Sequence, residues 1–249
     1  MILEAGAVAT VESPVKQSSI DPRPVLIVTG LVQEARIAAG PGMIVICSSS
    51  DPAQLRALLA TLDSRMFRGV ISFGVAGGLD PSLKSGDVVV ATEVLAGGTR
   101  FLAGLALNEE MIASAALKRR RVVFGGLAGV EQVIAATACK AALHSETGAA
   151  AVDMESHIAA AYAAKAGIPF AALRVISDPA SRSLPALAKS AIKPNGDIDL
   201  RKVLRGLLRN PTTLRALVST GIDFNRALRS LRGCRGFLIG GESLVAADI

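Results

Sequence analysis

The chain has 249 residues, 51% of them hydrophobic and only 3% aromatic, with no tryptophan and a formal net charge of +6. That composition excludes a disordered chain and sets a core of Ala, Val, Leu and Ile, which suits a parallel sheet covered by helices. Cys47, Cys139 and Cys234 lie far apart without metal-ligand spacing, which argues against a disulfide framework, and no apolar run reaches the roughly 18 residues needed to cross a bilayer.

The first residues, 1–23, carry acids and no basic segment ahead of an apolar stretch, so they read as a loose leader rather than a secretory signal. PVLIVTG (24–30) is a short β-branched run closed by Gly30, a buried strand, and GMIVICS (42–48) repeats the pattern. DPAQLRALLATL supplies Asp51 as N-cap and Pro52 at the first helical position, with Leu55, Leu58, Leu59 and Leu62 along one side of an amphipathic helix. GVISFG (69–74) gives another strand, running into the glycine-rich turn VAGGLDPSLKSG. DVVVATEVL (87–95) is strand-like, and RVVFGG (121–126) is a weaker candidate. A helix around TACKAALHSETG precedes AAAVDME, and the Ala-rich helix SHIAAAYAAKAG is stopped by Gly167 and Pro169 before the strand FAALRVIS. Strands alternating with helices predict one α/β domain over residues 24–181, a three-layer α/β/α sandwich around a mixed, largely parallel sheet.

Beyond residue 181 the character changes. Residues 182–235 hold twelve basic side chains against three acids, a balance of +9, which leaves −3 for the rest of the chain. Leu200, Val203, Leu204, Leu207 and Leu208 recur at helical spacing, with Arg201, Lys202, Arg205 and Arg209 facing elsewhere. Asp223 can cap a further helix carrying Phe224, Leu228 and Leu231 beside Arg226, Arg229 and Arg232. Residues 182–249 therefore read as a basic helical part packed on the core, either a solvated surface or one that meets lipid headgroups.

In open α/β sheets ligands bind outside the carboxyl ends of the strands. The segments found there are Gly30 to Glu34, Gly74 to Gly78, Asp153-Met154-Glu155 and Ser177-Asp178. Glu155 and Asp178 are separated by one helix and one strand, so neighbouring parallel strands would bring both acids to one pocket. Pro179 discourages helical geometry at Asp178, which predicts its carboxyl in a loop at the sheet edge. GVAGG lets a ligand approach the backbone, but it is neither GxGxxG nor followed by GK[ST], which counts against a dinucleotide dehydrogenase and an NTPase.

FGVAGGLDPSLKSGDVVVATEV, AVDMESHIAAAYAAKAGIPFAALRVISDPA and the acid after the first strand resemble the purine nucleoside phosphorylase and methylthioadenosine/S-adenosylhomocysteine nucleosidase superfamily, over about residues 24–181. The ending DFNRALRSLRGCRGFLIGG is similar to the hopanoid-associated phosphorylase branch. The resemblance implies cleavage of the N-glycosidic bond of an adenosyl substrate. Met154 and Glu155 would lie under the ribose, the carboxylate gripping its 2′- and 3′-hydroxyls. Asp178 would hand a proton to N7 of the purine, and Glu34 would orient or deprotonate a water. Val75, Ala76, Gly77 and Ser177 complete the expected substrate contacts. Val75 stands where nucleosidases of this group commonly have Ser, and phosphate could instead be held by backbone N–H groups around Gly30 and Gly77 with Arg36 or Arg100 nearby. The co-substrate is thus water or inorganic phosphate, with no cofactor and no metal, since His144 and His157 lack partners at ligand spacing.

The branch resemblance implies adenosylhopane as substrate, a cytoplasmic homo-oligomer, and peripheral contact of the basic helices with the membrane. Soluble methylthioadenosine/S-adenosylhomocysteine nucleosidase and general purine nucleoside phosphorylase are the alternatives. A nucleotide- or nucleic-acid-binding module is the reading outside the enzyme class, and the lack of interleaved aromatics tells against a nucleic-acid partner. Arg174, inside a strand, reads as half of a structural ion pair, and Phe73 and Phe124 either line the base pocket or pack the core.

Overall fold

The computed structural model describes residues 21–104, 121–185, 214–236 and 238. Its strands are β1 (Val25–Thr29), β2 (Met43–Cys47), β3 (Gly69–Gly78), β4 (Val88–Ala96), β5 (Thr99–Leu102), β6 (Val122–Gly129), β7 (Ala151–Asp153) and β8 (Phe170–Asp178). The helices are α1 (Val32–Ala38), α2 (Pro52–Ala60), α3 (Thr137–Thr147), α4 (Ser156–Ala166) and α5 (Leu214–Gly233).

All five residues of β1 are buried, as expected for a strand covered on both faces, and it runs parallel to β2 on one side and β3 on the other. β3 is also parallel to β8, which is antiparallel to β4; β4 is parallel to β6, and β6 to β7. β7 then returns to β3, pairing Val152 with Gly77 and Ala151 with Gly78. The path β3-β8-β4-β6-β7 therefore closes on itself, leaving β2 and β5 as the two ends of the sheet.

Successive side chains of the central strands point to opposite faces. On one, Val70, Ala172 and Ile176 pack with Leu55 and Leu59 of α2 and with Ile158, Ala159 and Ala163 of α4. On the other, Ile71, Phe73, Leu173 and Val175 pack with Ile37 of α1 and with Ala227, Leu228 and Leu231 of α5. These are the three layers predicted from the alternating pattern.

Several local expectations change. β3 does not turn at Gly74 but continues to Gly78, because β7 and β8 both supply partners for its backbone there. Asp178 is not in a loop: it is the last residue of β8, in register with Gly77 after a shift that leaves Ser177 as the extra residue. Asp223 is not a cap, since α5 already starts at Leu214; its carboxylate pairs with Arg182 and its carbonyl accepts from Ser85 Oγ at 2.8 Å. Phe73 is a core residue at 0% exposure, whereas Phe124 is half exposed. α1 and β5 were not anticipated. The stretch with Leu200 to Leu208, and the leader up to residue 20, lie outside the described residues.

Candidate active site

Two groups of buried ionisable side chains gather at the carboxyl ends of β1, β3, β7 and β8. The first is built on α1. Leu31 at the start of that helix offers no side-chain acceptor, and Glu34 in the first turn takes over: its Oε2 accepts from the N–H of Gly30 and of Leu31, both at 2.9 Å. Its Oε1 accepts from the N–H of Val75 at 2.8 Å, tying the start of α1 to β3. Arg174, at 0% exposure, reaches into the same space from β8. It pairs with Asp153, donates to Ser72 Oγ at 2.6 Å and to Ser156 Oγ at 3.1 Å, and its Nη2 stands 3.6 Å from Glu155 Oε2. Glu155 Oε1 accepts from Ser48 Oγ at 3.3 Å.

Burial penalises the charged forms here. It pushes Glu34 up from the usual carboxylate range, opposed by the Arg174 guanidinium and by the backbone N–H groups. Glu155 is pushed up to about 7 by burial against the pull of Arg174, with Asp153 and Glu34 adding to the rise. Burial works against the charge of Arg174, but Asp153, Glu155 and Glu34 outweigh it and hold the guanidinium ionised. Two polar atoms of this group, Arg174 Nη1 and Asp153 Oδ1, are buried without a hydrogen-bond partner among the described residues.

The glycines explain how so many charged atoms fit. A Cβ on Gly30 would lie 2.7 Å from Glu155 Oε1, and one on Gly74 would lie 2.5 Å from Arg174 Nη1 and 2.7 Å from Glu34 Oε1. Glycine is needed at both because side chains rest directly on the backbone. The expected anion cradle at Gly30 is thereby corrected: its N–H, like that of Val75, is already given to Glu34.

The second group is centred on Asp178, which is 5% exposed. Its Oδ2 is 2.5 Å from Nζ of Lys140, a side chain of α3 at 0% exposure, and Ser177 Oγ donates to its Oδ1 at 2.7 Å. Lys140 also donates to the carbonyls of Pro179 and Arg182, each at 3.1 Å. Burial pushes Asp178 up, Lys140 pulls it down, and Asp223 adds to the rise. Asp178 sits beside Gly77 and the first group beside Gly74. Three residues along a strand span roughly 10 Å, about the length of a nucleoside.

The remaining residues named from sequence divide in two. Val75, Gly77, Met154 and Ser177 are half-buried around these groups and Ala76 is buried beside them. Arg36 is not brought there; it is exposed and lines a hollow of about 430 Å³ between α1 and α5 with Gln33, Ile37, Arg232 and Arg235. Arg100 pairs with Glu93 at 2.6 Å on β5. His144 Nδ1 is 2.9 Å from the carbonyl of Ala149 and His157 Nε2 is 3.0 Å from Glu131 Oε1. Among the described residues no group of three or more His, Cys, Asp or Glu side chains could hold a metal. Sequence reasoning missed Lys140 and Ser48 and underread Arg174. A charge inside the apolar run FAALRVIS was the available signal for Arg174; a lysine in a short helix gave none.

The family model of the phosphorylase superfamily matches residues 4–207. Among solved structures, the chain is similar to the 5′-methylthioadenosine/S-adenosylhomocysteine nucleosidase of Helicobacter pylori in complex with butyl-thio-DADMe-Immucillin-A, with a TM-score of 0.62 and 19% identity over 88% of this chain and 97% of that one. It is equally similar to the native futalosine hydrolase of Helicobacter pylori, at 0.62 and 19% over 88% and 97%. The nucleosidase of Neisseria meningitidis in complex with methylthio-immucillin-A gives 0.61 and 18%, again over 88% and 97%. At such identities the likeness shows a shared fold. No curated protein matches the chain.

Proposed function

Because the chain belongs to the phosphorylase superfamily, we propose that it cleaves the N-glycosidic bond of an adenosyl substrate with water, releasing adenine. The observation that carries this reading is the pair of buried groups at neighbouring strand ends: Glu155 with Arg174 and Glu34 on one side, Asp178 with Lys140 on the other. Adenine is a poor leaving group as an anion, so protonation as the bond to C1′ breaks is the natural task of a general acid, typically worth ~10²–10⁴-fold. Asp178, pushed up by burial, holds a proton more readily than an exposed aspartate and meets N7 of the base. Glu155 faces the sugar. Hydroxyls donating to it favour its charged form, so it is ionised when C1′ becomes positive and stabilises that charge in a dry site.

Water is favoured over phosphate by the charge around Arg174. Three carboxylates, Asp153, Glu155 and Glu34, already share one guanidinium, and a phosphate dianion would join them. The free Arg174 Nη1 donates to the oxygen of the water, and Glu34, whose oxygens keep a lone pair beyond the backbone N–H groups they accept, takes its proton.

The substrate we assign is adenosylhopane. Supporting this are the likeness of the C-terminal sequence to the hopanoid-associated branch and the outer side of α5, where Val218 and Ile222 are 52% and 54% exposed and Arg226, Arg229 and Arg232 are also exposed. Among the described residues no helix is long and apolar enough to cross a membrane. The contact is peripheral, each basic residue near an anionic surface adding about 1 kcal/mol. Incubation with adenosylhopane and, separately, methylthioadenosine, with and without phosphate, followed by mass spectrometry of the products, tests the reading. The expected result is free adenine and ribosylhopane, independent of phosphate. Phosphoribosylhopane would refute the water step, turnover of methylthioadenosine alone would refute the substrate, and no adenine from either would refute the activity.

A further inference from the structure

Lys140 is a costly residue in its position. An ammonium taken fully out of water loses several kcal/mol of hydration, and a buried ion pair is weak evidence of stabilisation. Yet Lys140 is 0% exposed and spends its protons on Asp178 Oδ2 at 2.5 Å and on the carbonyls of Pro179 and Arg182 at 3.1 Å. The carbonyls alone could be satisfied by a neutral donor. What needs a cation is the carboxylate, and that carboxylate is the group placed to protonate the departing base.

We propose that Lys140 is a positioning residue that acts through Asp178: it orients the carboxyl by Oδ2 and resupplies the proton that leaves with the base. The relay rests on the adenosyl-cleaving reading above. A proton passes from Nζ to the Asp178 carboxylate, and the carboxyl gives a proton to N7 as the C1′–N9 electron pair moves onto the purine. C1′ bonds to the oxygen of the water, whose proton goes to Glu34, and the other products are N7-protonated neutral adenine, an Asp178 carboxylate and a neutral Lys140 amine, which regains its proton from solvent after release. Moving the proton from Nζ to the carboxylate discharges both partners, which burial favours. Among the described residues, Asp223 on α5, paired with Arg182, also acts on Asp178.

The test compares adenosine with N7-methyladenosine, whose base already carries the positive charge and leaves without a proton. In Lys140→Met, kcat/KM should fall ~10²–10⁴-fold for adenosine, the general-acid range, and stay within about threefold of wild type for N7-methyladenosine. Equal losses on both substrates would reduce Lys140 to a structural role and overturn the proposal, as would an unchanged rate on adenosine. Lys140→Arg keeps the charge and cannot release a proton; it should lose adenosine cleavage selectively, and full activity would overturn the relay even if the Met variant failed to fold. Asp178→Asn separates the two readings. Selective loss on adenosine there, without it in the lysine variants, leaves the general acid standing and removes Lys140. No selectivity in Asp178→Asn, or wild-type protein releasing adenine from neither nucleoside nor adenosylhopane, removes the acid and the relay together; if wild type cleaves adenosylhopane alone, the same comparison is read on adenosylhopane and its N7-methyl derivative.

Discussion

Around Arg174 three carboxylates compete for one guanidinium, whereas Asp178 has Lys140 to itself. The crowded side is held by neutral groups as well: Ser48 Oγ and the backbone N–H groups of Gly30, Leu31 and Val75 donate to its carboxylates, and the hydroxyl oxygens of Ser72 and Ser156 accept from Arg174. The sparse side has one cation, one hydroxyl and three carbonyls. A network of that density fixes geometry, which suits gripping a sugar and a water. An isolated pair with a single labile proton suits transfer. The same low dielectric thus serves rigidity at one end and proton movement at the other.

The comparison breaks most visibly at Arg174. Replacing it with Met leaves Asp153, Glu155 and Glu34 buried without a cation, and unfolding in urea should show a loss of about 3–5 kcal/mol. Asp178→Asn should be read in rate instead: Lys140 keeps the carbonyls of Asp178, Pro179 and Arg182, the fold survives by circular dichroism, and kcat falls ~10²–10⁴-fold. Gly74→Ala puts a methyl 2.5 Å from Arg174 Nη1 and 2.7 Å from Glu34 Oε1; the overpacking should cost about 1–3 kcal/mol of stability in urea, and displacing either group should lower kcat/KM by up to ~10²-fold. The smallest effect concerns pH. Folded Glu155 keeps its proton up to about 7 while the unfolded chain releases it near 4.5, so between those values the native state binds more protons. Stability of the ligand-free protein should therefore fall as pH rises through that window. Melting curves at about pH 5 and about pH 8 should show a smaller drop for Glu155→Gln than for wild type.

The layered fold was legible because β-branched runs and capped helices alternate, and Asp51 with Pro52 marks α2 without help from the rest of the chain. Glu155 and Asp178 were legible as acids at strand ends. α1 was not: it has seven residues, starts directly after β1 without a Ser, Thr or Asp, and takes its capping from Glu34, which looked like a loop acid. The glycines after Phe73 read as a turn because their use depends on β7, more than seventy residues away, and on carboxylates arriving from other elements. Lys140 was invisible for the same reason. Nothing local distinguishes a solvated lysine from one whose partner stands 38 residues downstream.

The strands that carry both groups belong to a loop of pairing with no free end. β3, β8, β4, β6 and β7 each have a hydrogen-bonded neighbour on either side, and among the described residues only β2 and β5 expose an unpaired margin. Amide protons of β3 and β8 should then exchange with solvent only when the whole molecule opens, while those on the outer rows of β2 and β5 exchange by local fraying. Fluctuations that admit a substrate to the proposed site must come from the connecting segments above the strands, because the floor beneath that site has no edge from which to peel.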